Sequence, residues 1–354
     1  MGMEHINNNL TTVFRTTFRP TAGNNLLSPV LLENVKTVVK LWILSILPCI
    51  GVVTNSLNIT VFRRQGFKEG PVISMFSLSV WDLLKCVCGL IHQLYGPLGL
   101  VSPVLGISWE NATIPYFEYT TIFAGYVSYA LAAFVSVERC LSVSLPFKAK
   151  LMITRKVTIL CVTAISILVF GSYTVIYGIY QVVFEFSPEF NATIAKLAFT
   201  KLYLNKSDII MSYYQAVGII LPSVSFFIIC ICSYLTVFHL KKSSRFMKHK
   251  SDNASSTTTL SAREKQVALT LLSVTFVYII NLFPRVVFYL AQMVEPEFYL
   301  LRKYNDLFFL TVIFIFILDF LNASIHLFIF LVMSSSFRRT FKSIWCRKEK
   351  LHMK

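Results

Sequence analysis

The sequence predicts an all-α membrane protein, in which seven membrane-spanning helices form a bundle and a short amphipathic helix follows on the cytoplasmic side. Of its 354 residues, 55% are hydrophobic and only 14% are charged, whereas soluble domains carry about 25% charged residues. Seven long apolar runs occur, and lysine and arginine residues gather between alternate runs. This composition excludes a soluble protein, and no second domain is evident beside the membrane domain.

Each of the seven runs is long enough to cross a bilayer, which takes about 20 mostly apolar residues. Five runs carry no charged residue; the second contains Asp82 and Lys85, and the seventh contains only Asp319. The predicted spans one to seven are residues 41–62, 71–92, 119–137, 157–184, 209–240, 266–284 and 307–337. An odd number of spans places the two ends of the chain on opposite sides of the membrane.

Basic residues predict which side is which, because lysine and arginine favour the cytoplasmic side. Of the 33 basic residues, 21 lie in the loops after spans one, three and five or in the tail after span seven, not counting Arg139 at the end of span three. The expected location is therefore the plasma membrane, with 1–36 as an extracellular segment, 37–333 as the membrane domain, and 334–354 as the amphipathic helix and cytoplasmic tail. The net charge of +16 indicates contact with anionic lipid of the bilayer, not with nucleic acid.

Two kinds of modification site fit this orientation. Sequons for N-linked glycans occur in the segments assigned to the outside, at Asn9, Asn111, Asn191 and Asn205. Cys346 follows the amphipathic stretch and is a candidate for palmitoylation. The other cysteines lie in or beside apolar runs, so we expect no extracellular disulfide.

Glu138 and Arg139 end span three, and single polar residues and prolines recur in or beside the spans: Asn55, Asp82, Pro146, Pro222 and Pro284. At this spacing they resemble the motifs of rhodopsin-like (class A) G-protein-coupled receptors. The stretch LNASIHLFIFLVMSSSFRRTF looks most like invertebrate peptide or chemosensory receptors of the FMRFamide-receptor kind. The departures from the family pattern include Leu282 in place of a tryptophan, His326 in place of an asparagine, Ile114 in place of the cysteine of a disulfide, and the absence of the usual tryptophan of span four.

The resemblance implies a receptor that is not an enzyme and needs no cofactor. An extracellular ligand, expected to be a small neuropeptide, would activate it to signal through a heterotrimeric G protein, with arrestin and receptor kinases as further partners. A chemosensory receptor for small environmental molecules is the alternative within the family. A channel or transporter is the alternative from another class, although no internal repeat supports it.

The resemblance also implies a resting-state lock at the site that couples to the G protein. In it Arg139 would pair with its neighbour Glu138 and with Glu264, which lies 20 residues before Pro284 at the inner end of span six. Opening of this network would free Arg139 for the G protein. The alternative is that Arg139 only anchors span three at the lipid boundary.

Asp82, Ser128 and Asn322 resemble the family's buried sodium pocket. A polar network without sodium is the alternative, with His326 as a possible proton-sensitive member. Lys85 lies one helical turn from Asp82. It could therefore neutralise Asp82 and displace sodium, or it could pair with Asp319 across the bundle.

We expect the ligand cavity to open outward. Its candidate lining residues come from four spans: His92, Gln93, Thr121, Tyr126, Tyr213, Tyr214, Gln215, Arg285 and Tyr289. Arg285 could bind an acidic group of the ligand, or it could pair internally with Glu118 or Asp306. Span seven has no lysine for a retinal Schiff base, and Thr121 stands where amine receptors carry an aspartate.

Overall fold

The computed structural model describes residues 38–249, 262–299 and 302–345, without the side chains of 40, 41, 150, 243–249, 262–264 and 345. The predicted extracellular segment 1–36 with the sequon at Asn9, the modification candidate Cys346, and the side chain of Glu264 therefore lie outside the described residues.

The described chain is mostly helical. Its helices are α1 (Leu44–Gln65), α2 (Gly70–Gln93), α3 (Tyr95–Val101), α4 (Pro103–Thr113), α5 (Tyr119–Ser144), α6 (Pro146–Met152), α7 (Arg155–Ser172), α8 (Lys201–His249), α9 (Ala262–Val294), α10 (Asn305–Met333) and α11 (Ser335–Trp345). Seven of them are long and apolar enough to cross a membrane. They are α1, α2, α5, α7, α8, α9 and α10, called spans one to seven below. The predicted fold class is confirmed, and the chain is a multi-pass membrane protein.

Span four is shorter than predicted. Its helix ends at Ser172, a 3₁₀ turn covers Thr174–Gly178, and strand β1 (Tyr180–Ser187) follows. β1 pairs with the antiparallel strand β2 (Ala192–Phe199). The prediction that span four extends to residue 184 was wrong, because the run YQVVFEF is apolar but rich in aromatic and β-branched residues that favour strands.

The remaining bounds differ by smaller amounts. Span five begins at Lys201, eight residues before the predicted start, and span six continues past Pro284 to Val294. The segment between spans two and three folds into α3, α4 and a π-helical turn at Ile114–Glu118. α3 and α4 cross closely: a Cβ at Gly106 would lie 2.6 Å from the Cα of Gly99, so this crossing requires glycine.

β1 and β2 form a hairpin at one end of the bundle, called the outer end below. Side chains of α4 hold this hairpin in place. The amide of Asn111 donates to the carbonyl oxygen of Ala195 at 2.9 Å. The backbone N–H of Ala195 donates to the hydroxyl of Ser108 at 3.3 Å. All seven cysteines in the described part of the chain are free thiols. Hydrogen bonds from one residue's backbone thus fasten β2 to α4.

The opposite end of the bundle, called the inner end below, carries α11. Phe337 of α11 is buried and packs edge-on against Phe62 of span one, with ring centroids 5.3 Å apart. Phe330 of span seven contacts both rings. α11 is amphipathic, with Arg338, Arg339 and Lys342 on its polar side. The predicted short helix is therefore present and is anchored by an aromatic cluster.

Candidate functional site

An ion pair between spans six and seven lies in the core of the bundle. Nη2 of Arg285 lies 2.5 Å from Oδ2 of Asp319, and both side chains are buried. The hydroxyl of Tyr129 on span three donates to the other carboxylate oxygen of Asp319. Charged groups within a membrane are costly unless they are paired, and this contact pairs two of them.

This ion pair corrects two predictions. Arg285 pairs with Asp319 rather than with Glu118 or Asp306, because Glu118 and Asp306 lie at the outer ends of their helices and Asp319 lies within its span. The predicted pair of Lys85 with Asp319 was also wrong, since Asp319 binds Arg285. The guanidinium already has an acidic partner inside the chain, so its availability to an acidic ligand is reduced.

Tyrosine rings surround Arg285. Its guanidinium carbon lies 5.6 Å from the ring centre of Tyr126 and 5.5 Å from that of Tyr129, within the range of cation–π attraction. The hydroxyls of Tyr126 and Tyr289 are 2.6 Å apart. Tyr173 of the segment after span four stacks on Tyr126 at 4.9 Å. The structure thus brings together three predicted ligand residues, Tyr126, Arg285 and Tyr289, and adds Tyr129 and Tyr173.

Three more predicted ligand residues are buried near the outer ends of spans two and three. Nδ1 of His92 lies 2.8 Å from the hydroxyl of Thr113, and its Nε2 lies 3.6 Å from Glu118. Thr121 donates its hydroxyl to the carbonyl oxygen of Phe117 at 2.8 Å. Gln93 is buried next to His92 in sequence. His92 and Thr121 are thus occupied by contacts within the chain, whereas Oε1 of Gln93 has no hydrogen-bond partner among the described residues.

The three consecutive candidates on span five do not face the same way. Tyr214 packs against the core, whereas Tyr213 and Gln215 are exposed. The hydroxyl of Tyr213 donates to the carbonyl oxygen of Ser172 at 2.9 Å, at the end of span four. Successive residues of an α-helix point about 100° apart. The prediction that all three line one cavity was therefore wrong, and only Tyr214 faces inward.

Asp82 is the centre of a second buried cluster. Its Oδ1 accepts from Ser128 at 2.9 Å and lies 3.0 Å from Nζ of Lys85. Its Oδ2 lies 3.3 Å from Nδ1 of His326. The predicted contact of Asp82 with Ser128 is present, and Lys85 neutralises the carboxylate. Asn322 is buried, and its amide has no hydrogen-bond partner among the described residues.

These residues do not fit a sodium ion. Sodium is a hard cation that needs oxygen ligands, and here the ammonium of Lys85 already lies against one carboxylate oxygen and His326 against the other. A second cation would be repelled by Lys85 at short range. Within the described ranges, no group of three or more His, Cys, Asp or Glu could hold a metal.

At the inner end, Glu138 is held by two hydroxyls. Ser74 of span two donates to its Oε2 at 2.7 Å, and Thr158 of span four donates to its Oε1 at 3.0 Å. No ion pair joins Glu138 to Arg139 in the part of the chain that the structure describes. That half of the predicted lock was wrong, because adjacent residues on a helix do not face each other.

Arg139 points to the opposite side of span three. It lines a small crevice with Ser136, Ser233, Thr236 and Thr275, between spans three, five and six. Its Nε has no hydrogen-bond partner among the described residues. The side chain of Glu264 lies outside them, so the other half of the predicted lock stays a prediction.

The inner end also contains a cavity of about 690 Å³. Its apolar floor includes Met75, Leu271 and Phe330, and its rim is polar, with Glu69 and Arg339. Spans one, two, six and seven and α11 all contribute walls. Sequence reasoning expected a cavity at the outer end and missed this one, because its walls come from positions far apart in the chain.

A comparison with protein-family models agrees with this architecture. The model described as "Serpentine type 7TM GPCR chemoreceptor Srw" matches residues 42–348, which is most of the chain. It describes receptors rather than a class of enzymes. No curated protein matches the sequence. The match covers all seven spans and α11, and the chain belongs to the Srw family of serpentine, seven-transmembrane G-protein-coupled chemoreceptors.

Proposed function

We propose that this protein is a chemosensory receptor of the plasma membrane, with its N-terminus outside, and that a small extracellular molecule activates it. The family is one of chemoreceptors, which favours this reading over a neuropeptide receptor. The observation that carries the proposal is the buried network of Arg285, Asp319 and Tyr129, because it joins spans six, seven and three through groups that a ligand can rearrange.

A ligand that contacts Tyr126 or Tyr289 would act directly on this network. Tyr289 lies one helical turn from Arg285 on span six, and its hydroxyl bonds to Tyr126 on span three. A ligand shifts the equilibrium between two bundle arrangements only through its different affinity for each. A ligand that binds these two hydroxyls better when they are apart than when they bond to each other would have that difference in affinity.

A neuropeptide ligand is the second candidate. The hairpin at the outer end carries charges of both signs, which suits capture of a peptide. However, Glu185 and Lys196 are diagonal neighbours on the two paired strands, and their side chains bond at 2.7 Å. Their mutual pairing lowers the charge that is free for a peptide, and it favours the small molecule.

The inner cavity and the crevice at Arg139 are the proposed contact for a heterotrimeric G protein. The cavity is large enough for several side chains of a partner, and Nε of Arg139, in the crevice, has no hydrogen-bond partner among the described residues. Arrestin and receptor kinases would use the same end. Helix α11, with its basic side chains, would lie on anionic lipid, and Cys346 would carry a palmitoyl group.

A screen of water-soluble and volatile small molecules against the receptor, measured by nucleotide exchange on purified G proteins, tests this proposal. Arg139→Ala should abolish the response of a well-expressed receptor, while Arg302→Ala, a matched change at the exposed outer end, should keep it. A response to peptides alone would favour the second candidate. A membrane current that needs no G protein would contradict both.

A further inference from the structure

The last turn of span seven leaves carbonyl groups without partners in its own helix, because the helix ends at Met333. Two other elements of the chain supply donors. Arg338 of α11 donates to the carbonyl oxygens of Leu331, at 3.0 Å, and of Val332. The carbonyl oxygen of Met333 accepts instead from Nε2 of Gln266, at 3.0 Å. Span six therefore caps the end of span seven.

Gln266 uses both ends of its side-chain amide. Its Oε1 accepts from the hydroxyl of Ser335, the first residue of α11, at 3.0 Å. Seven residues further along span six, the hydroxyl of Ser273 lies 3.0 Å from Sδ of Met333, because residues seven apart share a helix face. These contacts join the inner end of span six to the corner between span seven and α11.

The chemistry of this contact needs a glutamine. A neutral amide offers a donor and an acceptor at the same time, and the corner presents a carbonyl acceptor and a hydroxyl donor. A carboxylate would place a negative oxygen against the Met333 carbonyl, and a shorter side chain would not reach both groups. Both Gln266 and Ser335 also line the inner cavity.

We propose that Gln266 is a latch that keeps the inner cavity in its narrow state. Span six cannot move away from span seven without breaking both amide bonds and leaving the Met333 carbonyl without its donor. The contacts that form the latch lie within the chain and do not depend on a ligand or a G protein. Its role in signalling rests on the proposed function, in that a G protein would detect the width of this cavity.

The test compares three variants in lipid nanodiscs without ligand: Gln266→Ala, Ser335→Ala, and Gln292→Ala as the matched control on the same helix. Spin labels at Lys265 and Ser343, in a background with the other reactive cysteines replaced, report the distance between span six and α11. Gln266→Ala and Ser335→Ala should add a longer distance, and Gln292→Ala should not. The loss of two such bonds should raise the open population roughly 5- to 150-fold.

Ser335→Ala removes one hydroxyl only, so it keeps the test valid if Gln266→Ala folds poorly. Adding Ser335→Ala to Gln266→Ala should have little further effect. Unchanged distances in both variants, or full additivity of the two changes, would overturn the latch. Ligand-free nucleotide exchange on G proteins is measured in parallel. If the distances lengthen while exchange stays flat, the latch stands and the proposed G-protein coupling fails.

Discussion

Arg285 on span six and Asp319 on span seven form a buried ion pair, 2.5 Å from Nη2 to Oδ2, that a tyrosine hydroxyl from span three completes. Each residue is an isolated charge in an apolar span. Neither has a counter-charge nearby in sequence, and their approach fixes how two helices at the core of the bundle face each other.

Removal of one member of this pair should be far more damaging than removal of both. Arg285→Met or Asp319→Leu alone leaves a buried charge without its partner, which costs about 3–5 kcal/mol. The double variant should recover most of that stability. Thermal unfolding of the purified receptor in detergent measures the effect. Equal losses in the single and double variants would show that the two charges do not depend on each other.

Lys85→Met should create a sodium response that the native receptor lacks. The change removes the ammonium from Oδ1 of Asp82 and leaves that oxygen with the hydroxyl of Ser128, while His326 stays against Oδ2. Sodium at ten times its dissociation constant would then stabilise the variant by about 1.4 kcal/mol. The measurement is thermal stability in sodium chloride against choline chloride at equal ionic strength. The same sodium stabilisation in the native receptor would contradict this assignment of Lys85.

Ser74, Thr158 and Glu138 should behave as one unit. Ser74→Ala or Thr158→Val removes one donor to the buried carboxylate, and each should lower stability by about 1–3 kcal/mol. In a Glu138→Gln background these changes should cost less. Ser142→Ala is the matched control, since that hydroxyl bonds only to a backbone carbonyl of its own helix. A loss of stability as large for Ser142→Ala would show that the Glu138 contacts are not special.

Glycans should attach at Asn191 and Asn205 and not at Asn111. Asn191 lies at the exposed hairpin turn, and Asn205 is exposed near the start of span five. The amide of Asn111 instead bonds to β2. Asn191→Gln and Asn205→Gln should each remove one glycosidase-sensitive increment of mass on a gel. A similar decrease with Asn111→Gln would show that its contact with the hairpin does not exclude the sugar.

Local patterns in the sequence were enough to predict the spans and the amphipathic helix. A long run with few or no charged residues identifies a membrane helix without reference to its neighbours. The number of spans could therefore be predicted from the sequence. Strand β1 at Tyr180–Ser187 could not be predicted in this way, because a strand and a helix end can have the same apolar composition.

Contacts between distant positions were harder to predict. Arg285 and Asp319 were each recognised as unusual intramembrane charges, yet spacing alone could not show that they face each other. The pairing of Arg139 with Glu138 was predicted from the family resemblance, but adjacent residues on a helix do not face each other. The contacts of Gln266 could not be predicted from the sequence, because a polar residue is common where an apolar span ends.

The hydrogen bonds of Asn111 and Ser108 to the backbone of Ala195 have a consequence for how the receptor folds. Within the described residues the cysteines are all free thiols, and the hairpin over the outer end is fastened by noncovalent contacts. These are the two hydrogen bonds to Ala195 and apolar packing such as the stacking of Tyr180 on Tyr119. Assembly of the hairpin then needs no oxidising compartment and no isomerase. Receptor synthesised into nanodiscs under strongly reducing conditions should acquire the same hairpin as receptor matured along the secretory route.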